Sequence, residues 1–263
     1  MISSTANAQV KDVVALRKKP KVRREKGLFL VEGKKMFEEV PRERLVKTFV
    51  SESFLKTPEN RELLGQIRYE TVSDAVFSYM ADTQTPQGIL AEVKQMEWTL
   101  ADLFRAEAPR LVILETLQDP GNLGTILRAA EGAGISGILM NMDTVDIYSP
   151  KVIRSTMGAI YRIPFFYAPD FREALQTVKR RGVRLYAAHL AAERCYEEED
   201  YTKASGFLIG NEGNGLTDAT AVLADAYIKI PMEGKVESLN AAVAASVLMF
   251  EAARQRRQKK KQK

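Results

Sequence analysis

Apolar and polar positions fall in short blocks along the chain, and the period of the blocks changes. Gly27-Leu28-Phe29-Leu30-Val31 is an apolar run of strand length, and a helix-like pattern from Gly33 to Val40 follows it, ended by Pro41. Val46-Lys47-Thr48-Phe49-Val50 is a second strand candidate, Glu59 to Leu64 a helix, and Gly88 to Val93 a third strand. From Arg110 the alternation is more regular. Leu111 to Leu114 predicts a strand, a polar Gly-rich loop follows, and Gly124 to Ala133 predicts a helix. Gly137 to Met140 is a strand, Phe171 to Arg181 a helix and Arg184 to Ala188 a strand. Phe207-Leu208-Ile209 and Tyr227 to Ile230 are two more strands. A helix from about Ser238 closes the chain, with Leu239, Val243, Ser246/Val247 and Phe250 on one face. Short apolar strands alternating with helices imply an α/β fold with a mostly parallel sheet covered on both faces.

The stretch near 94–109, around Trp98 and ending at Pro109, reads as a connection, with Trp98 a packing residue rather than a base-stacking one. It separates an N-terminal domain, 1–97, from a C-terminal domain, 108–263. The 263 residues are 45% hydrophobic and 28% charged, which excludes disorder, collagen-like and coiled-coil architectures as the main state. A single cysteine, Cys195, excludes an intramolecular disulfide, and with the single histidine, His189, it cannot close a Cys/His zinc site; no metal is expected. The first residues lack an apolar signal core, and Ala241 to Phe250, the longest apolar stretch, is too short to span a bilayer. A reducing cytoplasm is the expected compartment.

Charge changes the picture more than composition does. The net +5 is unevenly held: residues 1–26 carry eight Lys/Arg against two acids, and the last ten residues carry seven Lys/Arg and no acid. Between them stand 24 basic and 32 acidic residues, a body of net −8 with two basic ends. Such segments attract phosphate backbones through counterion release. The N-terminal cluster Arg17, Lys18, Lys19, Lys21, Arg23 and Arg24 adjoins a foldable segment and is a candidate RNA-docking face. No amphipathic helix with large apolar anchors lies beside it, so a membrane is not the expected partner. The C-terminal run reads equally as a solvated helix end, whose dipole Lys and Arg suit.

Three loops at strand ends carry candidate chemistry, because ligands of such sheets bind where loops leave the carboxyl ends of strands. The first is Gln118-Asp119-Pro120-Gly121-Asn122-Leu123-Gly124, leading to Arg128. Its Pro-Gly pair predicts a tight turn, and Asn with Arg near a helix N-terminus can grip a phosphate or a ribose. The second is Gly210-Asn211-Glu212-Gly213-Asn214-Gly215, where glycines permit close backbone approach to a ligand. Its spacing is not the G-x-G-x-x-G of a nicotinamide site. The third runs from Ile230-Pro231-Met232 to Ser238-Leu239-Asn240, with Ser238 the expected N-cap and small residues Ala241, Ala242, Ala244 and Ala245 allowing close helix packing. A fourth stretch, Ser149 to Ala159, is polar and basic, and its Lys151 and Arg154 can meet an RNA backbone.

In order and spacing these segments resemble the SpoU/TrmH family of RNA ribose 2′-O-methyltransferases across about 150 residues. The resemblance implies a SPOUT fold: an α/β domain with a deep trefoil knot, here behind a smaller N-terminal α/β RNA-binding domain. It implies S-adenosylmethionine as cofactor and a homodimer. Ribosomal RNA, 23S in particular, is the expected substrate because the basic N-terminal domain suits a large structured target, with tRNA as the second choice. It places Asn122, Arg128, Glu212, Ser238 and Asn240 in catalysis, and Leu190, Gly210, Asn211, Glu212, Ile230, Met232 and Leu239 around the cofactor. Arg128 is also counted with the RNA contacts. Because arginine stays protonated, the expectation is that Arg128 stabilises the developing 2′-oxyanion or clamps the adjacent phosphate, oriented by Glu212 and Asn122. The rival readings are a non-catalytic RNA-binding protein of the same fold and a nicotinamide-dependent oxidoreductase. His189, by residue type, is the alternative base.

Overall fold

Two units divide the chain in the computed structural model, which describes residues 1–189 and 192–261. The first comprises Met1–Glu97 with Asp146–Tyr161, and the second Trp98–Val145 with the chain from Arg162 onward. Residues 146–161 lie far along the sequence yet pack with the first unit.

In the first unit, α1 (Ala8–Lys18) and α2 (Pro20–Lys26) lead into β1 (Leu28–Glu32) and α3 (Lys34–Glu38). Then follow β2 (Leu45–Ser51), α4 (Pro58–Leu64), β3 (Glu70–Val72), α5 (Asp74–Met80) and β4 (Ile89–Lys94). The sheet has the order β1-β4-β2-β3; only the β2–β3 pair is parallel. The basic cluster is therefore helical. Pro20 supplies the first position of α2, where its missing N–H costs nothing, and Gly27 ends that helix at φ +62°. Val10, Val13 and Leu16 of α1 pack against Phe49, Val72 and Phe77, so a charged segment still presents an apolar stripe.

The second unit is a doubly covered sheet. Its strands are β5 (Arg110–Leu114), β6 (Gly137–Asn141), β7 (Phe165–Ala168), β8 (Arg184–Ala188), β9 (Arg194–Cys195), β10 (Ser205–Ile209) and β11 (Ala226–Lys229). They lie in the order β7-β6-β5-β10-β8-β11-β9, with every pair parallel. The helices of this unit are α6 (Pro120–Ala133), α8 (Phe171–Arg180), α9 (Asp218–Ala221) and α10 (Ala241–Lys261); α7 (Pro150–Thr156) belongs to the first unit. Leu111, Ile113, Leu139, Leu185 and Leu208 form the core on the α8 side. β10 comes late in the chain but lies directly beside β5, pairing Ser205–Ile209 with Arg110–Leu114. The loops that follow these two strands therefore leave the sheet as neighbours.

Three local expectations need correcting. The helix predicted from Gly124 begins at Pro120: Asp119 caps it by accepting from the Asn122 N–H at 2.8 Å, and Pro120-Gly121 forms its first turn instead of a separate one. The last helix begins at Ala241, and its cap is Asn240, not Ser238. Its buried face is also a different one. Ala242, Ala245, Leu248, Met249, Ala252 and Ala253 are covered, whereas Val243 and Phe250 are 47% and 45% exposed. Small side chains let α10 lie close on α6, so alanines define the packed face that hydrophobicity alone assigned to valine and phenylalanine.

Candidate functional site

The site is built where β5, β10 and β11 end. The β10 sequence Ser205-Gly206-Phe207-Leu208-Ile209 is wholly buried, and polarity begins at Gly210. Gly210 is required there: a Cβ would lie 2.0 Å from the carbonyl carbon of Gly215. That close approach is the base of a tight loop in which Asn211 and Gly215 exchange backbone hydrogen bonds at 2.9 Å each. The Asn211 Oδ1 accepts from the N–H groups of Gly213 and Asn214, and its Nδ2 donates to the Thr116 carbonyl at 2.9 Å.

Glu212 joins the second loop to the first. Its carboxylate accepts from the backbone N–H of Gln118 (3.1 Å), the backbone N–H of Asp119 (3.0 Å) and the Nδ2 of Asn122 (2.9 Å). Partial burial pushes its pKa up, but the hydrogen bonds from Asn122, Asp119 and Gln118 outweigh that and leave it below the ordinary glutamate value. The chain of bonds continues to the third loop. Asn122 Oδ1 accepts from Asn240 Nδ2 at 3.0 Å, and Asn240 Oδ1 accepts from the N–H groups of Ala242 and Val243 to cap α10. A carboxamide can cap a helix and donate elsewhere at once, and here Asn240 does both. Glu212, Asn122 and Asn240, distant in sequence, thus form one continuous hydrogen-bonded line across the ends of three loops.

Ser238 lies exposed in the irregular 231–240 segment, outside that line. Ile230, Met232 and Leu239 are half-buried beside it, and Gly210 is half-buried at the foot of the second loop. Leu190 lies outside the described residues. Arg128 stands exposed on α6 and makes no side-chain hydrogen bond among the described residues. The expected orientation of Arg128 by Glu212 and Asn122 is therefore not made within the chain, because Glu212 is engaged by Asn122 and backbone donors. His189 stacks on Tyr227 at 5.1 Å, a packed position.

The basic residues separate into two kinds. Lys18, Lys19, Lys21 and Arg24 are exposed. Arg23 is 3% exposed: it pairs with Asp146 at 2.6 Å and donates to the Leu16 and Arg17 carbonyls. Arg17 donates to the carbonyls of Tyr79, Met80 and Ala81 at the end of α5. Arg154 pairs with Asp82 at 2.7 Å, and Lys151 is exposed. Arg23 is a structural ion pair, its guanidinium engaged within the chain. Sequence alone does not separate these cations, since each is one of a run; only the acid or carbonyl that meets it, far along the chain, decides.

Sequence reading misses Glu115 and Thr116. Glu115 is 7% exposed and accepts from the Thr217 N–H and hydroxyl, at 2.8 Å each, and from the Thr220 hydroxyl at 2.5 Å. Its signal is an acid placed directly after the apolar run Leu111–Leu114.

An adenosyl cofactor fits this donor set. Adenine and ribose are recognised by backbone groups and apolar walls. Among the described residues, no hydrogen bond is made by the backbone of 231–239, so that loop retains free donors and acceptors beside Ile230, Met232 and Leu239. Among the described residues there is no cluster of three or more His, Cys, Asp or Glu suited to a metal.

Comparison with known proteins gives the following. Residues 109–250 match the SpoU rRNA Methylase family, and residues 7–91 match the MRM3-like substrate binding domain. The chain is 32% identical over 250 residues to the 23S rRNA (guanosine(2553)-2′-O)-methyltransferase RlmP of Bacillus subtilis (strain 168), covering 95% of this chain and 97% of that protein. It is 31% identical over 204 residues to a 23S rRNA (uridine(2479)-2′-O)-methyltransferase of Streptomyces viridochromogenes, covering 74% and 71%. The crystal structure of the SpoU methyltransferase AviRb from Streptomyces viridochromogenes in complex with AdoMet superposes with a TM-score of 0.85 at 27% identity, covering 96% of this chain and all (100%) of that one. An AdoMet-bound rRNA methyltransferase from Sinorhizobium meliloti gives 0.81 at 32% identity, covering 96% and 97%.

Proposed function

Because the chain belongs to the SpoU rRNA methylase family, we propose that it methylates a ribose 2′-hydroxyl of 23S ribosomal RNA, with S-adenosylmethionine as methyl donor. The observation that carries this reading is the line Glu212–Asn122–Asn240 across three strand-end loops, in a chain whose relatives are named for that reaction. The donor, when bound, supplies a methyl group already activated on a sulfonium, so alignment and charge handling are left to the protein.

Gly210, Asn211, Ile230, Met232 and Leu239 would frame the adenosyl group with backbone groups and apolar walls. Glu212 acts as a staple: with both oxygens engaged by donors of the first loop, it fixes the walls of the cleft. Asn122 and Asn240 hold the third loop to the first. Arg128, an exposed guanidinium, is the group for the RNA side of the reaction. It clamps the phosphate next to the target ribose or stabilises the negative charge that develops on the 2′-oxygen, while the proton leaves to water. Ser238, exposed on the third loop, completes the RNA side of the pocket.

Lys18, Lys19, Lys21 and Arg24, with Lys151, supply the phosphate contacts of the first unit. Three further properties belong to the same reading. The return of β10 to a place between β5 and β8 accords with a trefoil-knotted C-terminal segment. The exposed Val243 and Phe250 on α10 suit a homodimer interface. A ribosomal RNA substrate supports the cytoplasm as the working compartment.

Calorimetric titration with S-adenosylmethionine tests this reading. Saturable binding near one site per chain is expected, weakened about tenfold or more when Asn211 and Glu212 are both replaced by alanine, a loss of roughly 1.4 kcal/mol. Absence of both heat and thermal shift at millimolar cofactor would overturn it.

A further inference from the structure

Thr116 occupies the left-handed region at φ +57°, a conformation rarely adopted by β-branched residues; among the described non-glycine residues only Met157 also has positive φ. Its polar groups show what holds it there. The Thr116 N–H donates to Asn141 Oδ1 at 2.8 Å, and Thr116 Oγ1 accepts from Asn141 Nδ2 at 2.8 Å. One carboxamide thus grips the backbone and the side chain of one residue. Asn141 is itself fixed: it ends β6, is 9% exposed, and its Oδ1 also accepts from the Thr144 hydroxyl at 2.8 Å. The third group, the Thr116 carbonyl, accepts from Asn211 Nδ2 at 2.9 Å.

We propose that Asn141 is a positioning residue for the methyl transfer, holding Thr116 in its left-handed conformation so that the Thr116 carbonyl fixes Asn211 in the cofactor loop. The proposal rests on the methyltransferase reading of that loop. The reversal of the chain at Thr116 lets successive residues work in different places: Glu115 anchors Thr217 and Thr220 at the far end of the loop, while Thr116 anchors Asn211 at the near end. The loop from Asn211 to Thr217 is therefore fastened at both ends, and only the near end depends on a disfavoured backbone conformation. A cavity of about 290 Å³ is lined in part by Glu115, Asn141 and Thr217, whose side chains are engaged with the loops.

Glycine adopts positive φ without a clamp, so the test is a rescue. Full-length wild type, Asn141→Ala, Thr116→Gly and the double variant are compared for methyl transfer to 23S RNA and for amide hydrogen exchange across 211–216. Asn141→Ala is expected to lower kcat about tenfold or more, with the KM for RNA within about twofold, and to speed exchange in that loop. Thr116→Gly in the same background is expected to restore kcat to within about threefold of wild type and to slow the exchange again. A folded Asn141→Ala protein with wild-type kcat and exchange would overturn the proposal, as would a loss that Thr116→Gly leaves untouched. If Asn141→Ala does not fold, Asn141→Ser carries the same comparison. A wild-type protein with no transfer would defeat the methyltransferase reading, whereas the exchange comparison would still decide whether the clamp exists.

Discussion

Arg23 in the first unit is 3% exposed and ties Asp146 to the carbonyls of Leu16 and Arg17, whereas Arg128 in the second unit stands exposed on α6 with no side-chain hydrogen bond among the described residues. Both are helical arginines. One comes from a basic run that reads as a nucleic-acid face, the other from a nearly neutral helix. The buried one is structural because burying a charge is tolerable only when it is paired. The exposed one can meet an external anion because none of the described residues competes for it. Charge density along the sequence therefore marks a region, while availability is set by partners that the fold brings in from far away.

The largest effect expected from this contrast is catalytic. Arg128→Ala should lower kcat by on the order of 10²–10³, the scale of removing a preorganised donor from developing charge. Arg128→Lys should lose at least about tenfold, since a point charge does not reproduce the guanidinium fork. Steady-state kinetics with parallel calorimetry should show cofactor affinity within about twofold of wild type in both. Nearly full turnover and unchanged RNA affinity in Arg128→Lys would remove the positional role. The next effect is on stability. Arg23→Met should cost about 3 kcal/mol in chemical denaturation, toward the low end for a broken buried pair because the Asp146 side chain keeps 21% of its exposure. Arg24→Gln, on the exposed side of the same helix, should stay within about 0.5 kcal/mol. Equal losses at the two positions would erase the distinction between them.

Much of the fold is legible in the chain because buried strands are continuous apolar runs: β1, β5, β6, β8 and β10 form where the runs 28–31, 111–114, 137–140, 184–188 and 207–209 predict them. Charged helices are less legible. α1 and α2 are obscured because Lys and Arg dominate the segment, although Val10, Val13 and Leu16 keep helical spacing. β7 is short, follows Pro164, and includes only two buried residues, Phe165 and Ala168. α10 misleads because Val243 and Phe250 stand exposed, while four alanines with Leu248 and Met249 form the packed face. The chemistry was carried by motif order, which brought Asn122, Glu212 and Asn240 into consideration together. Their bonding pattern was not readable, because it depends on β10 lying beside β5, a crossover that no local pattern records. For the same reason Thr116 and Asn141 carry no sequence signal: a threonine at positive φ is visible only with its clamp.

The smallest effect concerns Glu212. Its carboxyl is held below the ordinary value of 4.5, so the folded protein binds that proton less readily than the unfolded chain does. Its contribution to stability is therefore complete above the unfolded value and fades as pH falls through the lowered one. The difference in Tm between wild type and Glu212→Gln should be constant above about pH 5.5 and narrow below about pH 4.5. A difference that widened on acidification would reverse the assigned direction.

The most direct measurement is transfer of a labelled methyl group from S-adenosylmethionine to unmodified 23S ribosomal RNA, followed by alkaline hydrolysis. A methylated 2′-oxygen cannot attack the neighbouring phosphate, so the account predicts label retained in an alkali-resistant dinucleotide. Label recovered on a base would contradict ribose as the acceptor, and RNA bound without any label transferred would make this an RNA-binding protein that keeps the fold without the reaction.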